Sequence, residues 1–344
     1  MTLHARYLIG LHLRAMLVLS CGLISVLFLF RFADVAQRLG GPDGVGATTL
    51  LWQAVVRTPM ELQNALPHLV IVSAAVALHG AASRFEIAVM VQIGLSGWRL
   101  VAPLMISGAI VGVFYTAAVS PLVSAAHQAA EGGFVTAAGS RRVVTAEGGG
   151  KTLLFADRVT PDGKRLEGLH VIRLDARNRL DARFTAAKAQ WTATGWGLTG
   201  VQVLRPAADG AEPGLSVAPE LLAHRTRNHL ATPLSALPAA IAHAAAIGAP
   251  SQGYRLQLQG LLALPVLLAM LSALAGAVVL HPLPRGRWGA AALSVLAVTA
   301  TYYTGSTVAN AMALRSVISP AVAAWGPPML CVAALIIWRL HWKW

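Results

Sequence analysis

Charge is scarce in this sequence. Asp, Glu, Lys and Arg make up 12% of its 344 residues, while 56% are hydrophobic. A soluble domain carries about twice that charge, so much of this chain needs an apolar solvent. Acidic residues are the scarcest, 14 against 27 Lys and Arg, for a net charge of +13. That surplus raises the question of nucleic acid. The basic residues, however, flank apolar runs and form no patch with aromatics, which excludes that partner class. Cysteine is nearly absent. Cys21 and Cys331 both lie within apolar runs, which leaves no disulfide framework and no cysteine metal cluster; they read as small packing residues. Catalytic signatures are missing too. The eleven histidines are scattered, with no H-E-x-x-H, no Cys/His metal spacing and no G-x-S-x-G elbow, and neither Ser73 nor Ser96 has an evident base.

What the chain has is long apolar runs. Six, at roughly 13–33, 62–82, 99–120, 256–280, 288–310 and 318–340, are long enough to cross about 30 Å of hydrocarbon as helices. The first is too long for a cleaved signal peptide, and Arg31 stands where a small-residue cleavage site belongs. Cytoplasmic loops are enriched in Lys and Arg. With the N-terminus inside, the cytoplasmic segments carry Arg6, Arg14, Arg84, Arg99, Arg285, Arg287, Arg339 and Lys343; the short external ones carry Arg31, Arg38, Arg57 and Arg315. This bias puts both termini in the cytoplasm of a bacterial inner membrane and residues 121–253 in the periplasm.

The expected architecture is membrane α plus β: transmembrane helices 1–3 in residues 1–120, an inserted domain in 121–253, and helices 4–6 in 254–344. The insert holds 14 Lys/Arg and 10 Asp/Glu, a soluble balance. Its short β-branched and aromatic runs FVTA, RRVVTAE, KTLLFADRV, LHVIRLD, RFTAAKAQW and GWGLTGVQVL read as strands. Turn residues at Pro161-Asp162-Gly163 and Arg177-Asn178-Arg179 separate several of them. Strands at this spacing predict a sandwich or jelly roll. Pro233 to Ala246 reads as a helix, with Gly248 as its stop, returning the chain to the membrane at Tyr254. Gly150-Lys151-Thr152 imitates the end of a phosphate loop. Thr145 stands where that motif needs glycine, and the following TLLFADRV reads as a strand rather than a helix. A hairpin turn is expected, with no ATP site in this chain.

The loop between spans two and three, Ala82 to Ser96, is the most informative. As a short helix it groups Phe85, Val89 and Gln92 on one side and Glu86, Met90 and Ile93 on another, ending at Gly94. An interfacial helix lying on lipid has this form; so does a helix, at about 83–97, that docks on a partner. Glu86 is the only acidic residue expected on the cytoplasmic side.

This loop resembles the R-x-E-[IL]-x-x-M-x-x-x-G-x-S pattern of the LptF/LptG lipopolysaccharide-export permeases, through Arg84, Glu86, Ile87, Met90, Gly94 and Ser96. Similar too are Arg6-Tyr7 at the start, Arg31-Phe32-Ala33-Asp34 with Arg38 at the end of span one, and FADRV, GLHVIRLD and Ala186 to Trp191 followed by GWGL in the insert. Tyr254 and Pro265 in span four and Trp325-Gly326-Pro327-Pro328 in span six complete the likeness, which is closer to LptG than to LptF. The resemblance implies a non-catalytic permease subunit that extracts lipopolysaccharide from the inner membrane and passes it to a periplasmic bridge. It implies an LptF-like paralogue, a homodimeric LptB-like ATPase that uses the ATP, and LptC-like and LptA-like bridge proteins. It gives Arg84, Glu86, Ile87, Met90, Gly94 and Ser96 to ATPase coupling. No cofactor or metal is expected on this chain.

A lipid with an anionic head needs apolar walls and a basic rim. Arg31, Phe32, Asp34, Arg38 and Arg315 are the candidate lipid-binding residues, Arg31 snorkelling to the headgroup level; an ordinary interfacial arginine fits Arg31 equally. The chain departs from its relatives' pattern in carrying His127, Gln128 and Glu131 after span three, and Leu261 near the start of span four, where basic residues are usual. The alternative classes are a membrane-embedded enzyme and a secondary transporter acting on a lipid-linked substrate.

Overall fold

Long apolar runs become long helices because a backbone in hydrocarbon must satisfy its own hydrogen bonds. In the computed structural model the described residues are 2–39, 47–131, 135–147, 150–159, 164–175, 179–192, 195–205, 215, 232–246, 250–280 and 288–341. They fall into two units: Met1–Ala125 with Leu230–Pro238 and Gln252–Trp344, and Ala126–His229 with Ala239–Ser251.

The first unit is helical. It contains α1 (Leu3–Leu39), α2 (Ala47–Ser83), the short α3 (Glu86–Gln92) and α4 (Gly97–Phe114). One π-helical turn, Tyr115–Val119, joins α4 to α5 (Ser120–Glu131), which runs on into the second unit. A 3-10 turn (Leu234–Ala236) and α6 (Leu237–Ala246) lead back to α7 (Gln252–Leu280), α8 (Trp288–Leu314) and α9 (Pro320–His341). Among the described residues, five stretches are long and apolar enough to cross a membrane: Leu3–Asp34, Leu62–Ser83, Gly97–Ala125, Gln252–Leu280 and Pro320–Leu340. The other expected span, 288–310, falls in α8. That helix has the length, at 27 residues, but Thr, Tyr, Ser and Asn crowd its second half between 299 and 310 and lower its hydropathy.

Helix α7 is the core of this unit. Its span is 67% buried, against 6% for α1. Glycines let α4 approach it. A Cβ on Gly108 would meet Ser272 and the Leu268 carbonyl, one on Gly112 would strike Pro265, and one on Gly276 would strike Leu104. Without a hydrophobic drive between helices in lipid, close van der Waals packing of this kind holds them together. The π turn puts the Thr116 hydroxyl 3.2 Å from the Leu261 carbonyl, which accepts its proton. Leu261 itself is fully buried. This explains the departure at that position, since a basic side chain there would be desolvated without a partner.

The second unit is a sheet of six antiparallel strands: β1 (Val135–Glu147), β2 (Gly150–Val159), β3 (Arg165–Leu174), β4 (Leu180–Thr192), β5 (Gly195–Thr199) and β6 (Gln202–Arg205). Strands β1 to β5 neighbour one another in sequence order, and β6 also pairs with β4. Val135 to Ala137 of FVTA and the run RRVVTAE belong to one strand with an irregularity between Thr136 and Arg141, Phe134 lying outside the described residues. Glu147 pairs with Gly150 across β1 and β2, so Gly150-Lys151-Thr152 opens a strand, with no helix to hold a phosphate. The turn residues Pro161, Asp162, Gly163, Arg177 and Asn178, and the stop Gly248, lie outside the described residues. The core comprises Leu154, Ala156, Leu166, Leu169, Val171, Phe184, Ala186 and Ala189, with Trp196, Leu198, Val201 and Leu215 against it. Buried positions change parity between Leu166 and Leu169 in β3 and between Ala186 and Ala189 in β4. Gly168, with φ 63°, lies at that change; only glycine adopts this conformation without penalty. A jelly roll needs a second sheet facing the first, and the described strands form one.

Candidate functional site

Two features stand at opposite ends of the helical unit. The first is α3. Arg84 and Phe85 turn the chain out of α2, and Phe85 takes a left-handed conformation, φ 59° and ψ 7°, rare for a bulky residue. The helix ends in a Schellman motif: the Gly94 amide donates to the Val91 carbonyl at 3.0 Å and the Leu95 amide to that of Met90 at 3.1 Å. Gly94 supplies the φ of 86° that this motif needs, and Ser96 is the N-cap of α4 without a side-chain capping bond. Of the six motif residues, then, Gly94 and Ser96 shape the chain. Ile87, 6% exposed, anchors α3 inward, and Met90 is half-buried. Phe85, Val89 and Ile93 point outward, 74%, 54% and 73% exposed.

Glu86 opens α3, where the helix dipole favours a carboxylate. It is already engaged. The Tyr7 hydroxyl donates to its Oε2 at 2.5 Å, and Arg84 Nε lies 3.1 Å from its Oε1. Arg84 Nη2 is 3.5 Å from the Tyr7 oxygen. The cluster remains partly solvated, Glu86 being 30% exposed, so each charge-assisted bond contributes toward the lower end of about 1.5–3 kcal/mol. At the same end Arg339 lies over the Trp98 ring, 5.6 Å from its centroid.

The second feature is a cavity of about 580 Å³ bordered by α1, α2, α7, α8 and α9. Leu27, Leu264, Leu267 and Pro327 give it apolar wall; Gln63, Asn64, His68, Tyr302, Tyr303, Ser306, Thr307 and Asn310 give it hydrogen-bonding groups. His68 packs on Tyr302 and Tyr303, both at 5.6 Å between ring centroids, and its Nε2 is buried without a hydrogen-bond partner. None of these residues belongs to the basic rim expected from the sequence. Their signal is present in it, as polar side chains interrupting apolar runs, but only the packing of α2 against α8 brings them to one cavity.

Of the rim candidates, Arg31 lies 3.8 Å from Asp34 one turn on, both about one-third exposed. Phe32 stacks on Phe28 at 6.3 Å. Arg38 is on α1, its side chain outside the described set. Arg315 is exposed just past the end of α8, where a Schellman turn through Ser316, φ 60°, leaves a cation against the helix C-terminus. A buried polar group with no signature in the sequence joins three helices. His12 is fully buried between Ser107, 2.6 Å from its Nδ1, and Ser73, 2.9 Å from its Nε2. A neutral imidazole has one donor and one acceptor nitrogen, so one serine donates and the other accepts, pinning α1, α2 and α4.

Residues 6–342 match the family model described as lipopolysaccharide export system permease LptF/LptG. No curated protein matches the chain.

Proposed function

The chain belongs to the lipopolysaccharide export system permease family LptF/LptG, and from that membership we propose how it serves export. Family membership makes it a multi-pass inner-membrane transport subunit, not an enzyme. In our reading it forms the LptG-like half of a permease pair, with an LptF-like paralogue, on an LptB-like ATPase homodimer that consumes the ATP. It draws lipopolysaccharide from the membrane and delivers it to LptC-like and LptA-like bridge proteins. Helix α8 is the further span, both termini are cytoplasmic, and the sheet is the periplasmic part of a jelly roll.

The observation that carries this reading is the family match over residues 6–342. The distribution of polarity in the helical unit supports it. An outward apolar face, Phe85, Val89 and Ile93, ends one side and suits a protein partner rather than water. The polar-and-apolar cavity occupies the other half and suits a lipid with a hydroxyl-rich head. The anionic parts of that head fall to Arg31, Arg38 and Arg315, with Asp34 beside Arg31 and Phe32 offering apolar contact. Partner docking falls to α3, with Arg84, Glu86, Ile87 and Met90 supplying surface and anchor and Gly94 and Ser96 its shape.

The test is co-purification from detergent with the ATPase. Glu86→Arg should abolish capture of the ATPase while membrane insertion survives, because Glu86 in this reading pairs with a basic group of the ATPase, and a pair buried at the interface costs several kcal/mol when one member is lost. Capture at the wild-type level removes α3 from the interface. Orientation is checked on a background of Cys21→Ser and Cys331→Ser. A cysteine at Lys164 should react with an impermeant thiol reagent in intact spheroplasts, and one at Ser83 only after permeabilisation; the opposite labelling overturns the export reading.

A further inference from the structure

Tyr7 and Glu86 are 79 positions apart, yet the phenol oxygen lies 2.5 Å from the carboxylate. The phenol has one proton, and it goes to Glu86 Oε2; the other carboxylate oxygen takes Arg84 Nε at 3.1 Å, and Arg84 Nη2 reaches the phenol oxygen at 3.5 Å. Charge-assisted bonds of this length are the strong, directional kind. Nothing in the local fold of α3 requires the phenol. Phe85 makes the turn out of α2, the Schellman motif ends the helix, and Ile87 seats its inner face. What Tyr7 adds is a link from α3 to a different helix.

That helix is α1, continuous from Leu3 to Leu39. Tyr7 and Leu27, on the cavity wall, are separated by about 30 Å of unbroken helix at about 1.5 Å per residue. Of the five apolar spans, that of α1 is the least buried, at 6%, and that of α7 the most, at 67%. A displacement of α3 that passes through this bond acts on the first turns of α1, and the unbroken helix links those turns to the cavity wall.

We infer that Tyr7 is a positioning residue for transport: its hydrogen bond to Glu86 ties the partner-facing α3 to α1, so that motion of α3 reaches the cavity wall. This rests on the reading of α3 as the ATPase docking segment. The test uses the full complex in proteoliposomes loaded with lipopolysaccharide, the bridge acceptor outside, counting lipid released per phosphate released. Tyr7→Phe keeps the ring and removes the bond. The complex should be recovered at the usual yield, with lipid per ATP falling about tenfold, the scale of one charge-assisted bond. In a Glu86→Gln background Tyr7→Phe should add no further fall, since the two act as one unit; independent, additive losses overturn the inference. Wild-type lipid per ATP in Tyr7→Phe, with Glu86→Gln uncoupled, overturns it and leaves the docking reading intact. Full coupling in both Glu86→Gln and Glu86→Arg removes the docking reading itself, and the inference with it.

Discussion

In the sheet, Leu154, Leu166, Leu169 and Val171 are each 1% exposed or less, while Arg165 and His170 of the same strands face outward. On α1 the arrangement is inverted. Leu17, Val18, Leu29 and Phe30 are each at least 65% exposed, and the buried positions include His12. One chain therefore follows two burial rules, because its two units meet two solvents. In water the apolar side chains close on one another, since burying them is the main favourable term in folding. In hydrocarbon that drive vanishes. Lipid tails accept leucine as readily as a core does, so packing, small residues and polar pairs between helices decide what goes inside. The glycines at α4 and α7, and the His12–Ser73–Ser107 group, are that second rule at work.

Mutations in the two units should therefore differ in kind. Phe184→Ala in the sheet core removes a nearly fully buried ring and should destabilise that unit by about 3–5 kcal/mol, read as earlier protease cleavage of the insert in membranes. Gly108→Val in the helical unit adds atoms where a bare Cβ already meets the Leu268 carbonyl; overpacking costs about 1–3 kcal/mol, read as a lower detergent melting temperature. Leu29→Ala on the outward face of α1 should change stability by less than about 0.5 kcal/mol. A loss at Leu29 as large as that at Phe184 would break the comparison and make this face of α1 a protein interface instead of a lipid one.

Much of the fold was legible from neighbours in the sequence. The stop at Gly94 was readable because a left-handed C-terminal residue favours glycine, and α3 falls within the expected 83–97. The strands were readable from their β-branched and aromatic runs, apart from the change of parity at Gly168 and the division of GWGLTGVQVL into β5 and β6. The run at 288–310 is long and apolar enough to be expected as a span. Its polar second half had a reason that composition conceals, since those residues line a cavity.

The candidate site was legible only in part. The pattern Arg84, Glu86, Ile87, Met90, Gly94 and Ser96 covers α3 and the turns on either side of it, but does not by itself divide that segment into an anchor, a turn, a cap and a charge. Glu86 looked isolated because no basic or phenolic partner beyond Arg84 stands near it in sequence. The basic residues are the visible candidates for lipid contact; that Gln63, Asn64, His68, Tyr302, Ser306 and Asn310 line one cavity is not visible in the sequence.

By itself the sequence determined which segments seek hydrocarbon and which seek water, that α3 stops at Gly94, and which family the chain resembles. Hydropathy, alternation and turn chemistry act over a few consecutive residues, so a one-dimensional reading captures them. Only the tertiary structure decided that Tyr7 meets Glu86, that His12 sits between Ser73 and Ser107, and that α2 and α8 share a cavity. These partners are 79, 61 and 95 residues apart for the first three contacts, and a hydrogen bond is set by ångströms in space that only the packed helices bring about.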